Sequence, residues 1–127
     1  MRNLLLIFTL LFSTVISSSS YAKWTALSEN NGSINGVDFE RIKKQNGFVY
    51  YWELINHSKP FKGISSGKMY NQGDCKQFRY KILSYYFYKE PMGIGEPNDI
   101  GSPKNPEWIY SPPNSVVENT LKKVCSR

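Results

Sequence analysis

The fold reading turns on Phe48-Val49-Tyr50-Tyr51-Trp52-Glu53-Leu54-Ile55. Side chains alternate along a strand, so Phe48, Tyr50, Trp52 and Leu54 line one face while Val49, Tyr51, Glu53 and Ile55 line the other. Both rows are largely apolar or aromatic, which suits a strand covered on both sides and therefore central in a sheet. Asn46-Gly47 just before it is a tight-hairpin signal, and Glu40 to Asn46 reads as a polar turn or a single helical turn leading into that hairpin. Asn56-His57-Ser58-Lys59-Pro60 reads as the loop that ends the strand.

Working outward, Lys23 to Leu27 forms a first strand closed by Glu29-Asn30-Asn31-Gly32, and Ser33 to Phe39 a second. Gly67 to Cys75 and Lys76 to Tyr88 pair as neighbours. In the latter, Phe78, Tyr80 and Ile82 share one face and Gln77, Arg79 and Lys81 the other, so one side is buried and one wet. Beyond Leu83 the alternation dissolves into Tyr85-Tyr86-Phe87-Tyr88. Lys89 to Pro106 holds seven Gly or Pro residues in eighteen and is mainly loop. Met92 to Ile94 is the candidate there for a short edge strand, Gly93-Ile94-Gly95 is a turn rather than a phosphate loop, and Trp108 to Tyr110 is the last strand.

The final element differs in kind. Pro112 and Pro113 precede Ser115, Ser115 and Glu118 form a capping box, and Val117, Leu121 and Val124 recur at helical spacing. Cys125 follows on the same stripe. The chain has two cysteines, Cys75 and Cys125, behind an N-terminus that reads as an export signal, so they pair as a disulfide. The pair pins the buried side of the helix to the sheet, and a 50-residue loop is worth about 4 kcal/mol in the chain-entropy model. The fold class is α+β: an antiparallel sheet of about five or six strands with a C-terminal amphipathic helix packed on one face, stapled by the disulfide.

The export signal spans residues 1–22, with Arg2 before an apolar stretch from Leu4 to Ile16 and cleavage after Ala22. Residues 23–127 are then a single domain. The apolar stretch falls short of the roughly 20 residues of a membrane-spanning helix, no cysteine near the cleavage point provides a lipid anchor, and the protein is expected in the periplasm or at the cell surface. Cleavage removes Arg2 and no acid, so the formal net charge falls from +6 to +5. Lys43-Lys44 and Lys122-Lys123 alternate with acids as on a solvated surface, without the basic stripe of a nucleic-acid binder. One histidine and ten scattered acids offer neither a catalytic constellation nor a metal-ligand cluster, so the reading is not an enzyme. Asp74 and Arg79 are read as an ion pair beside the disulfide.

The order and spacing of Trp24, Val37-Asp38 with Ile42 following, the strand up to Trp52-Glu53-Leu54, Asp74-Cys75, Arg79-Tyr80, Met92-Gly93, Trp108, Pro113-Asn114-Ser115-Val116 and Val124-Cys125 resembles the bacterial surface-adhesin E family over essentially the whole segment after the signal. Asn114 stands where the family pattern has glycine. The resemblance implies a compact α+β domain that dimerises and binds host extracellular-matrix proteins, with haem as the alternative ligand of a periplasmic protein. As candidate binding residues the sequence offers Tyr85, Tyr86 and Tyr88, whose rings give large contact area at low entropic cost, and His57, an imidazole in a polar turn that could reach haem iron. The bland alternatives are sheet core or dimer seam for the tyrosines and an exposed loop position for His57.

Overall fold

Three two-residue turns set the register of the sheet. Asn31-Gly32, Asn46-Gly47 and Lys62-Gly63 all have positive φ at both residues, the geometry whose twist matches that of the strands it joins. The computed structural model describes residues 22–127, so the export signal read in residues 1–22 lies, but for Ala22, outside the described residues. The turns connect β1 (Thr25–Asn30) to β2 (Ser33–Val37), β3 (Lys43–Gln45) to β4 (Phe48–Phe61), and β4 to β5 (Ile64–Asp74). β6 (Arg79–Tyr88) and β7 (Asp99–Gly101) complete one antiparallel sheet in the order β1-β2-β4-β5-β6-β7, with β3 also paired to β4. Helix α1 spans Val116–Cys125.

The sheet thus has seven strands among the described residues, more than the expected five or six, and the differences have local causes. β4 does not stop at Ile55. It runs through the segment read as a loop, so His57 is a strand residue. Asn56 is buried and its Oδ1 accepts from the Met92 amide at 2.6 Å, while the register slips between Asn56 and Phe61, where Pro60 needs no ladder partner. Lys43 to Gln45, read as part of a turn, is a short strand behind a 3₁₀ turn at Phe39–Arg41. Met92 to Ile94 is no edge strand: Pro91–Gly93 forms a 3₁₀ turn, and the edge position is taken by β7. Trp108 to Tyr110 contributes a single bridge, Ile109 to Tyr80.

The loss of alternation after Leu83 has a geometric source. Asn71 pairs with Ile82 and Tyr70 with Ser84, leaving Leu83 as the extra residue of a β-bulge, so the faces exchange at that point. Register places Tyr80 and Ile82, and beyond the bulge Tyr85 and Phe87, on the side facing α1. Lys81, Tyr86 and Tyr88 take the opposite side.

The core lies between α1 and the Val49 side of β4. Val37, Val49, Tyr51, Leu121 and Val124 form one buried cluster, with Phe78 and Ile42 packed against it. Ser115 caps the helix by accepting the Glu118 amide at 3.1 Å, and the Glu118 carboxylate reaches back to the Asn114 amide at 3.4 Å. Cys125, the last helical residue, is bonded to Cys75 just beyond β5, with Cα atoms 5.7 Å apart. Thr120 is fully buried, its hydroxyl 3.0 Å from both Asn35 Oδ1 and the Val116 carbonyl.

Gly73 lets the helix sit this low. A Cβ there would lie 2.8 Å from Val49 Cγ1 and 3.0 Å from Leu121 Cδ1. Gly73→Ala is therefore expected to cost about 1–3 kcal/mol by overpacking, read as a lower denaturation midpoint at unchanged slope. An unchanged midpoint would mean that α1 is not held against β5 in this way.

Candidate functional site

The sheet face turned away from α1 carries a row of aromatic side chains drawn from three strands. Tyr50 and Tyr70 stack with centroids 6.2 Å apart, Tyr70 and Trp52 lie 4.9 Å apart, and Trp52 and Tyr86 5.7 Å. The alternation of β4 puts Tyr50 and Trp52 on this side. The register of β5 and β6 places Tyr70 and Tyr86 beside them, because Trp52 faces Tyr70 and Tyr70 precedes the bulge. At the other end, Trp108 comes over from the loop before α1 to meet Phe48 at 5.7 Å, and the Arg79 and Lys81 cations each lie 4.3 Å from the centroid of its indole.

These rings are half-buried rather than sealed. Burial, followed by the neighbouring Tyr50, holds the Tyr70 phenol above its ordinary pKa. The charges around them are mostly positive. Asp74 is committed to Arg79 at 3.0 Å and Asp38 to Arg41, and Lys43, paired in register with Tyr50, Lys68 and Lys81 form no ion pair among the described residues. Burial works to raise Asp74, but the Gln77 and Lys76 amides and Arg79 outweigh it and hold the carboxyl below its usual value.

The upper end of this face deepens into a groove. One cavity of about 260 Å³ is lined by Trp24, Asp38, Arg41, Trp52 and Lys68, and a second of about 450 Å³ by Trp24, Lys68 and the Met92–Gly95 loop. Among the described residues no group of histidine, cysteine and acidic side chains is arranged to hold a metal ion.

The sequence-predicted binding residues do not come together. Tyr86 joins the aromatic row. Tyr88 is buried farther along the same face, with the Lys68 ammonium 4.8 Å from its ring centroid. Tyr85 lies on the other side, packed on Phe87 at 5.1 Å and over the backbone of Gly101. His57 is half-buried in the slipped part of β4 and lines neither cavity. The sequence reading passed over Trp52, Tyr70, Trp108 and Lys68 as binding residues. Tyr50 and Trp52 could have been found from the shared face already assigned to them; Tyr70 requires the β4–β5 register, which the slip after Asn56 hides.

The surface-adhesin protein E family model matches residues 24–126. The chain belongs to that family. The family places it among exported or surface proteins of adhesin type. Among solved structures, protein E of Haemophilus influenzae is similar with a TM-score of 0.62 at 18% identity, over 84% of this chain and 86% of that one. Protein E from non-typeable Haemophilus influenzae also gives 0.62 at 18%, over 86% and 79%. At such identity the likeness is one of fold. No curated protein matches the chain in sequence. Among the described residues no helix is long and apolar enough to cross a membrane.

Proposed function

We propose that this protein is an exported, adhesin-type binding protein that engages host extracellular-matrix proteins through the aromatic and cationic sheet face, without catalysis. The observation that carries the reading is the row Tyr50, Tyr70, Trp52 and Tyr86, half-exposed and flanked by Lys43, Lys68 and Lys81. Aromatic rings and cations of this kind supply contact area and orientation in protein–protein interfaces. Family membership supports the same class of partner.

The test is saturable binding to a panel of immobilised matrix proteins. Trp52→Ala with Tyr70→Ala is expected to weaken binding by at least about tenfold, since truncating central aromatic anchors typically costs more than 1 kcal/mol each. Thermal unfolding of the variant checks that the sheet survives. A double variant that binds like the parent sinks the proposal for this face.

Haem has the weaker support. His57 lines neither cavity, and burial raises the pKa of Tyr70, which opposes the phenolate an iron ligand needs.

A further inference from the structure

Lys68 is half-buried at the wall shared by the two upper cavities, and no carboxylate lies within ion-pair distance of it among the described residues. Its ammonium rests against the Tyr88 ring instead. Burial lowers its pKa from the ordinary lysine value, as expected for a cation that has lost water without gaining a counter-charge.

The loop over it is firmly built. Met92 and Gly93 both have positive φ, 60° and 63°, a costly conformation for methionine that persists only where the surroundings fix it. They do so here: Met92 N–H donates to Asn56 Oδ1 at 2.6 Å, Gly93 N–H donates to Ser66 Oγ at 2.8 Å, and Ser66 in turn donates to the Glu90 carbonyl at 2.7 Å. A Cβ at Gly93 would meet Lys68 Cε, so any larger residue there would push the lysine tail aside. The loop is thus moulded on the stem of a lysine whose charge is left unanswered, between the indoles of Trp24 and Trp52.

We infer that this groove is a binding subsite for an acidic saccharide, its carboxylate meeting Lys68 and its ring lying against the indoles of Trp24 and Trp52. The choice of a sugar over an acidic peptide follows from the backbone. The amides of Met92, Gly93 and Ile94 are spent on Asn56, Ser66 and the Pro91 carbonyl, so an incoming peptide main chain would leave its own carbonyls unmatched along that wall. Sugar hydroxyls can stay wetted in an open groove while the apolar ring face covers an indole. This subsite adjoins the face of the matrix-protein reading and shares Trp52 and Lys68 with it, while Tyr50 and Tyr70 of that face line neither upper cavity.

The experiment is calorimetric titration of the protein with sialyllactose and with a tetrasaccharide alternating glucuronate and N-acetylglucosamine, against lactose and chitotetraose as their neutral counterparts. At least one acidic sugar is expected to bind about tenfold or more tightly than its neutral counterpart. Lys68→Gln should erase that preference, Lys68→Arg should keep most of it, and Trp52→Phe should weaken both sugars alike. The preference should shrink as salt rises. Melting curves identify any variant that fails to fold, and Lys68→Arg then carries the comparison. Equal binding of acidic and neutral sugars, no binding of either acidic sugar, or a preference that survives Lys68→Gln overturns the inference. Tyr50→Ala, at the end of the aromatic row and lining neither upper cavity, is expected to weaken matrix-protein binding while keeping the preference for the acidic sugar, which separates a failure here from a failure of the adhesin reading.

Discussion

Replacing Cys75 and Cys125 together by serine lowers the unfolding free energy by about 4 kcal/mol, the value of a 50-residue crosslink in the chain-entropy model. For a domain of this size that corresponds to a fall in Tm of roughly 15–30 °C, a large share of the 5–15 kcal/mol on which such folds run. The effect acts mainly through the unfolded chain, so the folded sheet is expected to stay intact below the new midpoint. The exception is the last turn of α1. Cys125 ends the helix, and a ten-residue helix is marginal without tertiary contacts. Leu121 and Val124 still bury its middle, and beyond Cys125 the chain is then held to the sheet by the contacts of Arg127 with Lys44 and Phe39. Cys75 is exposed, so a small thiol reductant reaches the bond without prior unfolding. Equilibrium denaturation of the oxidised, reduced and serine forms checks this. A loss below about 1 kcal/mol, or a loss in the serine form that reduction does not reproduce, would contradict it.

What could be read from sequence was whatever a single strand or helix declares by itself. The two faces of Phe48 to Ile55, the Ser115 cap, the Leu121 and Val124 stripe, the Asp74–Arg79 pair and the cysteine pairing all rest on residues a few positions apart or on composition. What escaped depends on partners. Asn56 to Pro60 is locally as polar as a loop and becomes strand because Ser66 and Met92 hold Asn56 from other elements. The turn at Lys62-Gly63 places a lysine at positive φ, where composition suggests no turn. The tyrosine run misled for the opposite reason: neighbours in sequence are split to opposite faces by the pleat. The aromatic face is assembled from β4, β5, β6 and the Trp108 loop, and needs the bulge at Leu83 to bring Tyr86 round to Trp52.

Glu53 is the charge that this fold buries without a cation, and it sets an unusual pH dependence. The side chain is 3% exposed, and its oxygens accept from Asn35 Nδ2 at 2.6 Å and Asn71 Nδ2 at 3.0 Å. Burial outweighs both hydrogen bonds and holds the carboxyl above the ordinary value of 4.5. The folded state therefore binds more protons than the unfolded one between 4.5 and the raised pKa, and stability falls as pH rises through that window. Asp74 runs the other way: its pKa lies below 3.8, so its contribution is complete above that value and is lost as pH falls through the lowered pKa. Stability should accordingly peak at about the ordinary carboxylate range and decline as pH rises through the raised pKa of Glu53.

Glu53→Gln removes the neutral-side decline. It also offers a side-chain amide where two buried groups, Asn71 Oδ1 and the Tyr51 hydroxyl, now lack partners: turning the Asn71 amide over lets its oxygen accept from the introduced glutamine amide and its nitrogen donate toward Tyr51. A gain of at least about 1 kcal/mol at pH 7 is expected, because a buried charge is exchanged for a satisfied neutral group. Asn35→Ala is expected to cost about 3 kcal/mol at pH 7, since it strips a donor from a buried carboxylate and the acceptor of Thr120. That cost should be smaller at pH 5 than at pH 7, because lower pH favours the neutral carboxyl. Unfolding curves of the three proteins at both pH values decide it. A Glu53→Gln variant less stable than the parent at pH 7, or a parent whose stability rises from pH 5 to pH 7, would show that the carboxylate is charged and well satisfied where it lies.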